Sequence, residues 1–134
     1  MGTGIDTSVV IHAERTGVSL ATLVGRELEE CFISVITLSE LLHGLARATS
    51  PRIRRERQIF LEDTLADLKV LPIDEEVAKL HASLTADLGM RGAMIGVNDS
   101  WIAATCLRHR HEIVTLNVGE LSRVPGLVVR GLPR

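Results

Sequence analysis

The sequence has few aromatic residues and no excess of charge of one sign. Phe32, Phe60 and Trp101 carry the only aromatic rings, 2% of the chain, which argues against a surface that stacks the bases of single-stranded nucleic acid. The formal net charge is −2, so a polyanionic partner would need a local basic patch or bound metal ions. Net charge therefore neither indicates nor excludes such a partner.

The sequence also has few cysteines and no long apolar run. Cys31 and Cys106 lie far apart, without a CxxC or Cys/His spacing, so we expect reduced thiols packed as small apolar side chains. No apolar run reaches the roughly 18 residues of a membrane span, and the first 30 residues contain no basic segment followed by an apolar one. We expect a soluble, cytoplasmic protein with no export signal and no membrane partner.

Short strands alternate with helices along the chain, and 134 residues suit a single domain over 1–134. The strands are predicted at 3–6, 31–36, 69–73, 112–117 and 127–129, and the helices at 19–30, 37–48, from 50 onwards, 74–89 and 98–109. This order predicts an α/β sandwich with a mostly parallel sheet, whose ligands bind beyond the carboxyl ends of the strands.

Acidic residues stand at strand ends and helix starts that such a sheet brings to one edge. They are Asp6, Glu40, Asp99 and Glu120. If the fold gathers them, two like charges about 4 Å apart repel by roughly 4 kcal/mol even at an effective dielectric of about 20. Protons or a divalent cation must then neutralise the cluster, and oxygen ligands suit Mg²⁺ or Mn²⁺. The pattern indicates phosphoester chemistry, in which the metal lowers the pKa of an attacking water.

Each acid also has an ordinary structural interpretation. Asp6 could cap the TSVVI turn, Glu40 falls by helical periodicity on a surface face, and Glu120 could be a solvated loop residue. Asp99 differs because its helix is apolar nearly all round, and a buried acid needs a partner. We predict Asn98 as the N-cap of that helix, which leaves Asp99 free to project to the edge of the sheet.

The segment RIRRER at 52–57 is the one concentrated basic stretch. It is interpreted either as a solvated helical face balanced by Glu62, Asp63 and Asp67, or as a surface that attracts a phosphate backbone or an acidic partner segment. The five histidines show no metal-ligand spacing, and His81 extends the apolar stripe of its helix. We expect all of them to be structural or exposed.

Several segments together resemble a known family. IDTSVVI, ISVITLSELLHGLARA, LPIDEEVAKLHASL, IGVNDSWIAAT and IVTLNVGELSRVPGL are similar, in order and spacing, to the PIN-domain ribonucleases, most closely to the VapC-type toxins of toxin–antitoxin pairs. The resemblance implies a three-layer α/β/α PIN-like fold with a parallel sheet and Mg²⁺- or Mn²⁺-dependent cleavage of tRNA, rRNA or mRNA. It also implies a homodimer and a cognate antitoxin that inserts near the active site.

The resemblance assigns roles to the acids residue by residue. Asp6 matches the first acid of the family, Glu40 the glutamate of SELxxG and Asp99 the aspartate of NDxxIAA. Glu120 takes the acid position of TxNxxEF, although leucine replaces the aromatic residue. On this basis Asp6 and Asp99 hold the metal, Glu40 completes or bridges its shell through water, and Glu120 binds a second ion or orients the nucleophile.

Polar residues beside these acids would orient the carboxylates or water. They are Thr7, Ser8, Thr115 and Asn117. A different function stays open: a dimer that chiefly binds an antitoxin, regulates transcription with it, and has weak or lost nuclease activity. Metal binding that depends on the carboxylates would favour the enzyme.

Overall fold

A parallel sheet forms the centre of the protein. The computed structural model describes residues 1–133, so Arg134, the last residue of the predicted domain, lies outside the described residues. The strands are β1 Thr3–Ile5, β2 Cys31–Ser34, β3 Lys69–Leu71, β4 Glu112–Val114 and β5 Val129–Arg130. Their order is β3-β2-β1-β4-β5, and every neighbouring pair is parallel. The predicted fold class is therefore confirmed, with a wholly parallel sheet.

Helices cover both faces of this sheet. They are α1 Thr7–Thr16, α2 Leu20–Val24, α3 Val35–Ala46, α4 Pro51–Leu65, α5 Glu75–Met90, α6 Val97–Arg108 and α7 Val118–Leu121. Successive strand residues point to opposite faces, so Ile33 and Val114 join a core with α1 to α4, while Phe32 and Ile113 join one with α5 to α7. Two apolar cores around one sheet give the three layers α/β/α.

Local capping signals predict several helix starts correctly. Ser50 accepts a hydrogen bond from the Ile53 N–H, with Pro51 at the first helical position of α4. Asp74 accepts from the Val77 N–H at 2.8 Å, as expected for the cap of α5. These starts depend on residues next to each other in the sequence, which is why the sequence alone predicts them.

The first third of the chain departs from the predicted elements. The helix predicted at 19–30 breaks after Val24, because Gly25 has a left-handed φ of 75° and Glu27 is extended. Residues 28–30 form a short 3₁₀ turn instead. Residues 7–16 form a helix, whereas the sequence pattern predicts only a turn there.

Strand ends also differ from their predicted positions. The strand predicted at 31–36 stops at Ser34, whose hydroxyl accepts from the Thr37 N–H and so starts α3 two residues early. The strand predicted at 112–117 ends at Val114, and the one at 127–129 is Val129–Arg130. Shorter strands place more side chains beyond the carboxyl edge of the sheet.

Both cysteines are buried, and they form no disulfide within residues 1–133. Burial raises the pKa of the Cys31 thiol to about 11 and that of Cys106 to about 12. They pack as small apolar side chains, as predicted. Across residues 1–133, no helix combines the length and the apolar character that crossing a membrane requires.

Candidate active site

The four predicted acids form an acidic cluster at the carboxyl edge of the sheet. Asp6 follows β1, Glu40 lies in the second turn of α3, Asp99 in the first turn of α6 and Glu120 in α7. Burial raises the pKa of Asp99, and the negative charges of Asp6, Glu120 and Glu40 and a hydrogen bond with Glu120 add to this effect, which gives a pKa of about 6 in total. In the sequence, each of the other three acids lies 34 or more residues after Asp6, and the fold brings all four together.

Asp6 is the most rigidly held of these carboxylates. It is 2% exposed, and its Oδ2 accepts hydrogen bonds from Ser8 Oγ at 2.7 Å and Thr115 Oγ1 at 2.8 Å. Backbone N–H groups of Leu116 and Asn117 in turn donate to these two hydroxyls. Asp6 occupies the N-cap position of α1, but its side chain makes no capping hydrogen bond there. The capping interpretation is therefore right about the position and wrong about the side chain, and Oδ1 has no hydrogen-bond partner in the described chain.

Glu40 is half-buried rather than a solvated surface residue. Its Oε1 accepts a hydrogen bond from Thr7 Oγ1 at 2.8 Å, and the hydroxyls of Thr7 and Thr37 lie 3.0 Å apart. Periodicity assigned Glu40 to the surface because it treats α3 as an isolated helix, whereas α1 packs beside it. Thr7 therefore orients Glu40, while Ser8 and Thr115 orient Asp6.

The predicted N-cap of α6 is wrong. Gly96, with extended φ and ψ of −58° and 150°, precedes the helix, so Asn98 is its second residue and Asp99 its third. Asn98 is exposed and makes no capping hydrogen bond. Asp99 is half-buried at the positive end of the helix dipole, and the apolar body of α6 behind it is buried as predicted.

Glu120 braces the start of α6. Its Oε1 accepts the Gly96 N–H at 2.8 Å. A Cβ added at Gly96 would lie 3.6 Å from Asp99 Oδ2 and 3.8 Å from Glu120 Oε1, so the two carboxylates stand beside the same glycine. Glu120 is thus half-buried in the site instead of solvated in a loop. Asn117 contributes only its backbone N–H to the network, and its side chain is exposed.

His81 joins α5 to α6 through a contact that the sequence pattern does not predict. The His81 ring stacks on Trp101 with 3.5 Å between centroids, and its Nε2 lies 2.9 Å from Ser100 Oγ. Ser100 and Trp101 directly follow Asp99 in the chain. No spacing in a single sequence pairs residues on two different helices, so the pattern showed His81 only as part of an apolar stripe.

The basic segment 52–57 is mostly solvated. Arg52, Arg54 and Arg55 are exposed, whereas Arg57 is half-buried and donates to Glu14 Oε1 at 2.8 Å and to the Gly44 carbonyl. Within residues 1–133 no ion pair joins this segment to Glu62, Asp63 or Asp67, so the predicted balancing charges do not contact it. Arg57 and Glu40 line the same cavity of about 180 Å³.

The donor set fits a hard divalent cation. The acidic cluster offers carboxylate oxygens, which Mg²⁺ and Mn²⁺ prefer, and Mg²⁺ is commonly held by one or two carboxylates with water completing its shell. In the described part of the chain, no three His, Cys, Asp or Glu side chains are arranged to hold a metal ion as they stand. A site built from these acids would therefore use two carboxylates and water, and the resemblance assigns Asp6 and Asp99 to it.

The fold and the site define a three-layer parallel α/β domain with an acidic cluster at the carboxyl edge of its sheet. The PIN domain family model matches residues 5–127. Ribonuclease VapC of Rickettsia bellii is 33% identical over 133 residues, 99% of this chain and 98% of that protein. Ribonuclease VapC1 of Rickettsia felis is 36% identical over 129 residues, 96% of this chain and 95% of that protein.

Solved structures agree with this assignment. VapBC-5 from Mycobacterium tuberculosis, described as a member of the VapBC family of toxin–antitoxin systems, superposes with a TM-score of 0.76 at 28% identity, over 99% of this chain and 98% of that one. The chain therefore belongs to the PIN-domain family, in its VapC branch. The resemblance of the sequence motifs is confirmed.

Proposed function

We propose that the protein is a metal-dependent RNA endonuclease and the toxin of a toxin–antitoxin pair, acting in the cytoplasm. It would hydrolyse phosphodiester bonds in tRNA, rRNA or mRNA with Mg²⁺ or Mn²⁺. The observation that supports this proposal best is the position of four carboxylates at the carboxyl edge of the sheet, where burial and the charges of Asp6, Glu120 and Glu40 raise the pKa of Asp99. A site that concentrates uncompensated negative charge is suited to a divalent cation and, through it, to phosphate.

The roles follow from how each carboxylate is held. Asp6 presents Oδ1, since Ser8 and Thr115 already occupy Oδ2, and Asp99 projects from the start of α6. These two would hold the cation, with Glu40 completing its shell through water. When bound, the cation would lower the pKa of a water nucleophile and offset charge on the phosphate.

Glu120 has a task that its geometry supports directly. Its carboxylate accepts a hydrogen bond from the Gly96 N–H and stands beside Asp99. Glu120 therefore holds the residue that precedes α6 and adds negative charge to the acidic cluster. The hydrogen bond occupies Oε1, which leaves Oε2 to orient a water. We therefore propose that Glu120 braces the site and orients the nucleophile, rather than holding a second ion.

Cleavage of RNA by the purified protein tests this proposal. Wild type with Mg²⁺ or Mn²⁺ is expected to cut a structured tRNA or rRNA and to leave 5′-phosphate and 3′-hydroxyl ends, and EDTA is expected to stop it. Asp99→Asn should lose cleavage, whereas the exposed neighbour variant Asn98→Ala should retain it. Equal cleavage by wild type and Asp99→Asn would contradict the proposal.

We also propose an antitoxin partner and a homodimer. The relative from Mycobacterium tuberculosis supports the first, since it belongs to a toxin–antitoxin system. Apolar side chains that remain exposed on α3 and β3, Val35, Leu42 and Val70, support a protein-contact surface. Light scattering of the purified chain, alone and with the product of an adjacent small reading frame, measures both assemblies.

Calorimetry separates the nuclease from the alternative interaction protein. Titration with Mn²⁺ should give binding that Asp6→Asn abolishes. If the wild-type protein binds an antitoxin tightly but neither binds Mn²⁺ nor cuts RNA, the interaction protein with lost nuclease activity is the correct description. The proposed enzyme would then be refuted.

A further inference from the structure

His81 on α5 contacts the first turn of α6 through the two residues that follow Asp99. Its ring lies parallel to that of Trp101, with 4° between the planes and 3.5 Å between centroids, and its Nε2 lies 2.9 Å from Ser100 Oγ. We infer that His81 is a positioning residue that fixes the first turn of α6 and thereby the carboxylate of Asp99. The inference rests on the proposed function of Asp99 as a ligand of the cation.

The direction of the hydrogen bonds follows from the hydroxyl of Ser100. Its single proton is donated to the Val97 carbonyl at 2.6 Å, so Ser100 Oγ accepts from His81. This requires the tautomer with hydrogen on Nε2. Burial lowers the pKa of His81, which favours the neutral ring that this arrangement uses. The result is a directed chain of hydrogen bonds from His81 through Ser100 to the first residue of α6.

The first turn of α6 needs such support because it has no side-chain cap. Gly96 offers no capping group, and the exposed Asn98 makes no capping bond. Uncapped helix ends expose free N–H groups and open readily. Glu120 holds one side of this turn at Gly96, and His81 holds the other through Ser100.

The position of Asp99 makes this rigidity matter. Asp99 is half-buried, and its Oδ2 stands beside Gly96 together with Glu120 Oε1. Asn98 and Asp99 are the two residues between Val97 and Ser100, which the hydrogen-bond chain connects. A held turn keeps the carboxylate in this place before a cation binds, which is the preorganisation that a ligand set requires.

The two contacts of His81 can be separated by substitution. His81→Phe retains a ring that can stack on Trp101 but has no N–H donor. Ser100→Ala removes the acceptor, and His81→Gln replaces the N–H donor without a ring. Thr85→Val is a matched control one turn further along α5, since Thr85 bonds only to carbonyls of its own helix, those of His81 and Ala82.

Hydrogen exchange tests the anchoring without metal or RNA. The Ser100 amide, which donates to the Gly96 carbonyl, and the amides of Trp101 and Ile102 should exchange about tenfold or more faster in His81→Phe and Ser100→Ala than in wild type, and Thr85→Val should match wild type. His81→Gln should restore much of the protection. Unchanged exchange in both His81→Phe and Ser100→Ala would overturn the inference, whatever the enzyme does.

Mn²⁺ affinity and kinetics test the consequence for the site, at a temperature well below every variant's Tm. His81→Phe and Ser100→Ala should each weaken Mn²⁺ binding or kcat by about 10–100-fold with little change in KM for RNA. The double variant should lose no more than Ser100→Ala alone, because Ser100→Ala already removes the bond from His81 together with the bond to the Val97 carbonyl. Wild-type affinity and kcat in both single variants would overturn the inference and leave His81 a purely structural residue.

A failure of the proposed function looks different. If wild type neither binds Mn²⁺ nor cuts RNA, while the exchange of the amides of residues 100–102 still depends on His81 and Ser100, the anchoring is correct and the nuclease proposal is refuted. Hydrogen exchange therefore tests the anchoring by His81, and the Mn²⁺ and cleavage assays on wild type test the nuclease proposal.

Discussion

Replacing Asp99 by asparagine should stabilise the metal-free protein while it abolishes cleavage. Burial and the charges of Asp6, Glu120 and Glu40 raise the pKa of Asp99 from 3.8 to about 6. A rise of this size corresponds to at most about 3 kcal/mol of destabilisation by the ionised carboxylate at neutral pH. Because the side chain is only half-buried, water screens much of it, and we expect about 1 kcal/mol, or roughly 3 °C in Tm.

The pH dependence follows from the sign of this shift. The native state binds the Asp99 proton more tightly than the unfolded chain does, so the metal-free wild type gains stability as pH falls from about 6 towards 4. Asp99→Asn lacks this gain, so its advantage should be largest at pH values above about 6 and should shrink below that. Thermal denaturation in EDTA across this range measures both effects.

A control and a metal titration complete the test. The Val77 N–H donates to Asp74 and, with the nearby charge of Arg108, holds the pKa of that carboxyl below its usual value. Asp74→Asn should therefore lose stability, the opposite sign. Mn²⁺ should stabilise wild type, by about 2.7 kcal/mol at 100 times its Kd, but not Asp99→Asn. An Asp99→Asn protein that is less stable than wild type in EDTA at neutral pH would refute the reasoning.

Substitutions at four further positions separate the parts of the site from one another and from the rest of the fold. Thr115→Val removes a hydroxyl from the buried Asp6 and should reduce kcat by about 10–100-fold at a cost of about 1–2 kcal/mol in urea unfolding; an unchanged kcat would contradict the orienting role. Glu120→Gln should keep the hydrogen bond from the Gly96 N–H, whereas Glu120→Ala should lose that bond and about 1 kcal/mol of unfolding free energy. Equal Tm values for the two variants would show that Glu120 does not stabilise the start of α6. Arg130→Ala leaves the buried Glu112 without its main partner and should cost about 2–3 kcal/mol with normal cleavage at low temperature, because Glu112 begins β4 at the opposite edge of the sheet; a matching loss of kcat would contradict that separation. Asn98→Ala should change the free energy of unfolding by less than about 0.5 kcal/mol. A larger decrease, measured by denaturant unfolding, would show that Asn98 caps α6 after all.

Features that depend on neighbouring residues could be predicted from the sequence. The cap at Asp74 and the apolar stripe after it place α5 almost where the structure has it, 75–90 against a predicted 74–89. The strand ends likewise indicate which acids a parallel sheet brings to one edge. The fold class and the acidic cluster therefore follow from short-range patterns together with a rule of topology.

Features that depend on contacts between elements could not be predicted. Periodicity placed Glu40 on the surface because the hydroxyl that binds it, Thr7, lies 33 residues away on another helix. The cap of α6 was assigned to Asn98 because asparagine is a good capping residue, yet the chain turns at Gly96 and Glu120 supplies the acceptor. In each case the hydrogen-bond partner, Thr7 or Glu120, is distant in sequence, so local propensity could not predict the contact.

Cleavage of one structured RNA by wild type and Asp6→Asn, each with Mn²⁺ and with EDTA, tests the central claim most directly. Asp6 is the buried carboxylate that Ser8 and Thr115 hold in place with one oxygen left unbonded. The account predicts cleavage by wild type with Mn²⁺ alone, with 5′-phosphate ends on the products, and none by Asp6→Asn. Cleavage by wild type in EDTA, or equal cleavage by Asp6→Asn, would contradict it.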